Sequence, residues 1–351
     1  MEKLRFGLIG YGKVAEVHAA ACLASQNSEL VSVWGRDPQK RAAFAQRRGV
    51  QARGSISEMV EKDRIEAVLI ATPHPTHKEL AIEAAACGCH VLVEKPMALT
   101  VSDCNAMIAA SAAAGKALGV ISQRRWLPSC RRIREAIDAG ALGMPSLAQV
   151  TMLGWRDEVY YRSDPWRGSW ALEGGGVLIN QAPHQLDLLA WFMGPAAEIK
   201  GFWGNINHPY IEVEDTAVAA IRFKSGGMGS VLVSNSQKPG IYAKVHIHGA
   251  SGASAGVQTD GGAMFVPGMS NVLEAPYNDL WTIPGQEALL PKWKAEDEAL
   301  FAKIDPICHF FTLQIAEFSE AVRAGRPPAV TGEDGRETVR IIEGIYGRNC
   351  S

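Results

Sequence analysis

The sequence predicts an α/β chain: a Rossmann-type parallel sheet at the N-terminus, then an α+β domain with a large, mostly antiparallel open sheet. Three observations carry this. Between Arg5 and Gln123, short wholly apolar runs such as "IEAVLIATP" and "HVLVEKP" alternate with helical stretches, the pattern of parallel strands buried on both faces. Beyond Arg124 the apolar residues alternate singly with polar or small ones, as in "DTAVAAIRF" and "AKVHIHGA", which is the period of strands with one exposed face. The 351 residues suffice for two separate cores. The expected boundaries are 1–123 for the first domain, 124–330 for a substrate and oligomerisation domain, and 331–351 for a C-terminal helix packing back on the body.

Taken in order, "RFGLIG" is a strand and "AEVHAAACLAS" a helix. "LVSVWG" is the second strand, followed by "DPQKRAAFAQRRG", which Asp-Pro opens and Gly49 closes. "IEAVLIATP", "HVLVEKP" and "ALGVISQ" are further strands, separated by "THKELAIEAAACG" and "TVSDCNAMIAASAAAG". The second half opens with the helix "LPSCRRIREAIDAG" and continues through strands "SLAQVTML", "EIKGFWGNI", "DTAVAAIRF", "GGMGSVLVSNSQ" and "AKVHIHGA". The stretch "NDLWTIPGQEALLPKW", with two prolines, reads as loop. Two helices, "PICHFFTLQIAEFSEAVRAG" and "GEDGRETVRIIEGIYG", close the chain.

Composition narrows the function. The 35 basic and 37 acidic side chains give a net charge of −2, with no general field for nucleic acid or an anionic membrane. No apolar run reaches the length of a membrane span, and the N-terminal apolar run passes directly into a glycine motif, with no signal-peptide cleavage site. Seven scattered cysteines suit reduced thiols, so a cytoplasmic location is expected. His246 and His248 share a strand face without a sequence pattern for zinc, and no metal site is expected.

"GLIGYGKVAEVHA" carries the chemistry of the first half. Gly10, Gly12 and Ala15 form G-x-G-x-x-A between a strand and a helix, so Gly10, Gly12, Lys13 and Val14 are expected to hold a dinucleotide pyrophosphate at a helix N-terminus. The second strand ends "VWGRDP". Gly35 occupies the slot of the ribose-binding carboxylate and Arg36 follows, which favours NADP(H) over NAD(H); Asp37 is read as a helix cap. Ligands of a parallel sheet lie beyond the carboxyl ends of its strands, where Thr72, Pro73 and His77 of "ATPHPTH", Glu94 and Lys95 of "EKP" and Gln123 fall. Lys95 is expected near the nicotinamide, the alternative for "EKP" being a solvated strand end.

"GSWALEGGGVLINQAPHQLDLLAWFMG" carries the chemistry of the second half. Asn180 and His184, four apart, are expected on one helix face with Asp187 nearby; a histidine and an amide there can hold and deprotonate a hydroxyl. The alternative is a histidine satisfied within a polar interface. In "WRDEVYYRSDPWRGSW", Trp155, Tyr160, Tyr161 and Trp166 can pack on a sugar ring, while Arg167 can meet a hydroxyl, carboxylate or cofactor phosphate. Arg124 of "SQRRW" joins the substrate candidates. A loop folded on its own aromatics is the competing reading.

"GYGKVA", "ATPHPTH", "EKP" and "GGGVLINQAPHQLD", in this order, resemble the Gfo/Idh/MocA family, and the resemblance extends through "AVRAGRPPAVTGEDGRETVRIIEGIY". It implies a Rossmann domain, a C-terminal domain with an open sheet, Lys95 and His184 as catalytic residues, and dimers or tetramers. It implies hydride transfer between NADP(H) or NAD(H) and a secondary alcohol of a sugar, glycoside or cyclitol. Alternatives are a dihydrodiol or other non-sugar alcohol, and a lyase or glycosidase that recycles a retained cofactor. Many members carry Asp where this chain has Asn180, and an amide cannot take up a proton as a carboxylate does. Asn180 is therefore expected to bind a hydroxyl, with His184 as general acid/base and Lys95 polarising the same oxygen, or with those two roles exchanged.

Overall fold

A computed structural model describes residues 2–261 and 274–347. The chain divides into two compact units, one of residues 1–123 and 307–336, the other of residues 124–306 and 337–351.

The first unit is a doubly wound parallel sheet. In chain order it contains β1 (Leu4–Ile9), α1 (Lys13–Ala24), β2 (Ser28–Trp34), α2 (Pro38–Arg48), β3 (Gln51–Ala52), α3 (Ile56–Asp63), β4 (Ala67–Ile70), α4 (His77–Ala86), β5 (His90–Val93), α5 (Val101–Ala113) and β6 (Leu118–Val120). The strand order is β3-β2-β1-β4-β5-β6, all parallel, so the chain reverses direction across the sheet at the β1/β4 boundary. Local sequence sets the helix limits. The Asp37 carboxylate accepts from Gln39 N and Lys40 N to cap α2, Pro38 takes its first position, and Gly49 ends it at φ 67°. Thr100 caps α5 by accepting from Asp103 N.

In the second unit, α6 (Pro128–Asp138), β7 (Pro145–Leu153), α7 (Glu158–Arg162), α8 (Val177–Asn180) and α9 (Pro183–Met193) precede a run of strands. These are β8 (Ala196–Gly204), β9 (Thr216–Phe223), β10 (Met228–Ser234), β11 (Tyr242–Gly249), β12 (Ser254–Gly261) and β13 (Tyr277–Trp281), followed by α10 (Leu289–Phe301). The sheet order is β13-β12-β11-β7-β10-β9-β8, antiparallel except for β7 with β10. Along β9, Ala217, Ala219, Ile221 and Phe223 are buried while Val218, Ala220 and Arg222 are exposed, so one sheet face packs and the other is open.

Two expectations are corrected here. The stretch read as loop contains β13 and the start of α10: Asn278 ties β13 to β12 by donating to Gly256 O, and Pro291 falls in the first turn of α10, where no N–H is needed. Helix α11 (His309–Ala324) belongs to the first unit, not to a second domain running to residue 330. Its Ile315 and Phe318 enter the core of Leu4, Phe6 and Leu8, and Gln314 donates to Val120 O and accepts from Ser122 N. The last helix, α12 (Gly332–Ile345), straddles residue 336.

Candidate active site

In the first unit the glycine loop follows β1 directly. Gly10 has φ +115°, and a Cβ there would lie 2.4 Å from Ala71 O, so only glycine fits the turn. Gly12 is the N-cap of α1; a Cβ there would meet nothing within 4 Å, and no side chain caps the helix. A helix N-terminus without a side-chain cap, opened by a glycine with room beside it, suits a pyrophosphate. Lys13 is exposed and Val14 half-buried beside that opening. Gly35 ends β2 beneath the ring of Tyr11, whose Cε1 would lie 2.1 Å from a Cβ. Arg41 Nη1 donates to Gly35 O, Asp37 N donates to Tyr11 Oη, and Arg36 is exposed. The Asp37 carboxylate is occupied in its cap, and the N–H of Lys40 holds it below the ordinary range.

Lys95 is half-buried at the carboxyl end of β5, and its peptide to Pro96 is cis. Glu94 fixes its start. One Glu94 oxygen accepts from Lys95 N at 2.9 Å and the other accepts from His18 Nε2 at 2.7 Å. His18, on α1, is fully buried and meets Phe311 edge-on at 5.0 Å. Burial pushes the Glu94 carboxyl up, but the bond from His18 and the charge of Lys95 outweigh it and hold the acid ionised. His18 was missed from sequence; its signal was a histidine on the buried face of the helix after the glycine loop.

His77, expected to touch cofactor, is fully buried with Nδ1 3.0 Å from Pro96 O and Nε2 2.9 Å from Thr72 O. Both ring nitrogens are engaged by backbone, so it ties the ends of β4 and β5 together. Thr72 and Pro73 are half-buried; the Thr72 and Thr76 hydroxyls pair at 2.7 Å, and Thr76 also donates to Pro73 O. Gln123 lies half-buried in the turn after β6.

In the second unit the helix expected across Asn180 and His184 is interrupted. Asn180 ends α8 and His184 is the second residue of α9, because Pro183 has no N–H to continue the ladder. Both side chains are half-buried. The glycines before α8 serve internal packing: a Cβ at Gly175 would lie 2.2 Å from Tyr346 Oη and one at Gly176 1.8 Å from Glu214 O. The buried Glu214 carboxylate accepts from Gly176 N at 2.9 Å, Leu178 N at 3.0 Å and Tyr346 Oη at 2.8 Å, and so caps α8 from a distant segment. The Glu173 carboxylate, also buried, accepts from Gly168 N at 2.6 Å and from Asn180 Nδ2. Neither glutamate was singled out from sequence.

Several substrate candidates are instead spent on the fold. Asp187 is buried, with both oxygens accepting from Arg125 Nε and Nη2 at 2.9 and 2.8 Å. Arg124 makes a two-pronged pair with Asp260, at 2.6 and 3.1 Å, and also donates to Thr259. Tyr160 and Tyr161 are buried and pack edge-to-face at 5.1 Å, and burial pushes both phenols up. The Arg167 guanidinium lies 4.2 Å from the Tyr160 ring and 4.4 Å from Trp166, and its Nε donates to Asp164. Trp155 is half-buried against His208 at 5.3 Å. The loop that was expected to grip a ligand thus folds on its own aromatics and arginines, leaving Trp155, Trp166 and Trp170 as its half-buried rings.

Comparison with known proteins follows the same division. Residues 4–122 match the oxidoreductase family model with an NAD-binding Rossmann fold, and residues 130–255 match the GFO/IDH/MocA C-terminal domain. Oxidoreductase P35 of Formosa agariphila is 32% identical over 64% of this chain and 70% of its own. The myo-inositol 2-dehydrogenase of Thermotoga maritima is 25% identical over 95% of this chain and 92% of its own. Among solved structures, the WlbA dehydrogenase of Bordetella pertussis, in complex with NADH and UDP-GlcNAcA, superposes with a TM-score of 0.85 at 28% identity, covering 99% of this chain and 95% of that one.

Proposed function

The chain belongs to the Gfo/Idh/MocA family of oxidoreductases, and on that premise we propose that it moves a hydride reversibly between a nicotinamide cofactor and a secondary alcohol of a sugar, glycoside or cyclitol. One observation carries the chemical part: a half-buried lysine at the carboxyl end of β5, its backbone N–H held by a buried glutamate that a buried histidine keeps ionised. The sugar or cyclitol class is supported by the inositol dehydrogenase relative and by the sugar nucleotide bound to WlbA.

Gly10, Gly12, Lys13 and Val14 hold the pyrophosphate. The nicotinamide, when bound, supplies the hydride acceptor. Lys95 donates to the reacting oxygen and stabilises negative charge on it as the carbon is oxidised. His184 takes the hydroxyl proton on an imidazole nitrogen and returns it in the reverse direction. Asn180 fixes the substrate by a hydroxyl. NADP(H) is favoured over NAD(H), because Gly35 offers no carboxylate and that of Asp37 is used as a cap.

The cellular setting we propose is the cytoplasm; among the described residues no helix is long and apolar enough to cross a membrane. A homodimer or homotetramer would cover the open sheet face, where Phe202 is 85% exposed and Val218 and Leu232 stand outward. Light scattering that returns a monomer would exclude that assembly.

The decisive experiment follows absorbance of reduced nicotinamide with NAD and NADP separately, over sugars, glycosides, cyclitols and dihydrodiols. Turnover with a sugar or cyclitol is expected. Lys95→Ala and His184→Ala should each lower kcat at least about 100-fold with little change in cofactor affinity. Full turnover in Lys95→Ala would overturn the assignment.

A further inference from the structure

Helix α1 starts at the glycine loop and carries His18 on its buried face, where Nε2 lies 2.7 Å from Glu94 Oε1. The other ring nitrogen, Nδ1, is buried and has no hydrogen-bond partner. That nitrogen decides where the protons lie. An imidazolium, or a neutral Glu94 donating to Nε2, would put an N–H on Nδ1 with nothing in the interior to accept it. Buried N–H groups left without an acceptor are rarer in folded proteins than under-filled acceptors. The imidazole therefore carries its proton on Nε2 and donates it, and Glu94 accepts as a carboxylate. The other Glu94 oxygen accepts from Lys95 N at 2.9 Å, so both oxygens are engaged and the carboxylate plane is fixed.

We propose that His18 is a positioning residue for the hydride transfer: from the dinucleotide-binding helix it holds the Glu94 carboxylate in place and ionised, and that carboxylate fixes the backbone of Lys95 and supplies a counter-charge to its ammonium. The proposal rests on the reading of Lys95 as the catalytic lysine. His18 is fully buried, so it acts only through Glu94. Burial pushes the Glu94 carboxyl up, and the bond from His18 leads the interactions that bring it below its ordinary value, ahead of the charge and the N–H of Lys95. With an apolar residue at position 18, burial prevails, Glu94 takes up a proton and the Lys95 ammonium loses that counter-charge. The other charged or titratable groups that face the carboxylate are Lys95 and His77 of α4; burial holds the His77 imidazole down, and both its nitrogens are met by backbone.

The hold of His18 on Glu94 is tested without any substrate. In protein with 13C-labelled glutamate, the carboxyl signal missing from Glu94→Gln should titrate below about pH 4.3 in wild type and above about pH 6 in His18→Leu. His18→Gln keeps an N–H donor where Nε2 stood and should bring the midpoint back below about pH 5. The same midpoint in wild type and His18→Leu overturns the proposal.

The activity arm uses an alcohol that supports turnover. His18→Leu should lower kcat about 10-fold to 100-fold at neutral pH, with KM for cofactor within about threefold of wild type. The ratio of its kcat to that of wild type, in which the titration of His184 cancels, should rise with pH through the Glu94 midpoint of the variant. His18→Gln should recover most of the loss. In Glu94→Gln, adding His18→Leu should change kcat less than about twofold, because the route from His18 to Lys95 is already cut. A further loss as large as the one in wild type overturns the proposal. If Lys95→Ala keeps full turnover, the reading of Lys95 falls while the titration result stands. If Lys95→Ala is inactive and His18→Leu keeps wild-type kcat at every pH, the proposal is overturned.

Discussion

Asp187→Ala separates a structural carboxylate from a substrate ligand. Side-chain exposure is 5% at Arg125 and 4% at Asp187, and two parallel N–H···O bonds of 2.9 and 2.8 Å join them. Arg125 also lies 5.2 Å over the ring of Trp191. Removing the carboxylate leaves a guanidinium in the interior without its counter-charge, which costs about 3–5 kcal/mol. Removing both charges with a shape-preserving pair, Arg125→Met with Asp187→Leu, should restore stability to within about 1 kcal/mol of wild type, because the desolvation of two ions is relieved together. Urea unfolding followed by tryptophan emission would report both values. If Asp187→Ala retained wild-type stability within about 1 kcal/mol and raised KM, the carboxylate would be acting on substrate and the structural reasoning would fail.

Two further outcomes follow from local geometry. Gly35→Asp, the change that would ordinarily install NAD preference, should leave the NAD/NADP ratio of kcat/KM within about threefold of wild type and lower the melting temperature, since its Cβ would displace the Tyr11 ring that receives Asp37 N; a strong shift towards NAD would show that the ring yields. Burial pushes the Asp215 carboxyl up, but donation from His208 Nδ1, Asn207 N, Ile206 N and Thr216 brings it down to about 2. A depressed acid stabilises the fold above its unfolded pKa, so Asp215→Asn should lose about 2 kcal/mol at neutral pH, and the gap to wild type should close between about pH 4 and pH 2.

Legibility in the sequence differed with the kind of signal. The first sheet was legible because each strand is a continuous apolar run and each helix carries its own punctuation, as Asp37, Pro38 and Gly49 do for α2. β12 was not, because "SAGVQTDG" has too few branched or aromatic residues to mark a strand; its place is set by pairing with β11. The break between α8 and α9 turned on Pro183, which periodicity alone places inside a helix. The return of α11 to the first core depends on Phe318 meeting Phe6 at 6.2 Å, a contact between residues more than three hundred positions apart that no local pattern encodes.

The candidate site divides along a different line. Residue type and spacing identify which side chains can do chemistry, but not how many of their polar atoms the fold has already used. Asp187, Arg124, His77 and Arg167 have the right chemistry, and each is occupied by a neighbour from its own unit. Glu94, expected at the ligand end of the sheet, holds Lys95, and Glu173, unremarkable before a glycine run, holds Asn180, each by a hydrogen bond to that residue. At position 180 an aspartate would place a second negative charge against Glu173, whereas the amide of Asn180 donates to it.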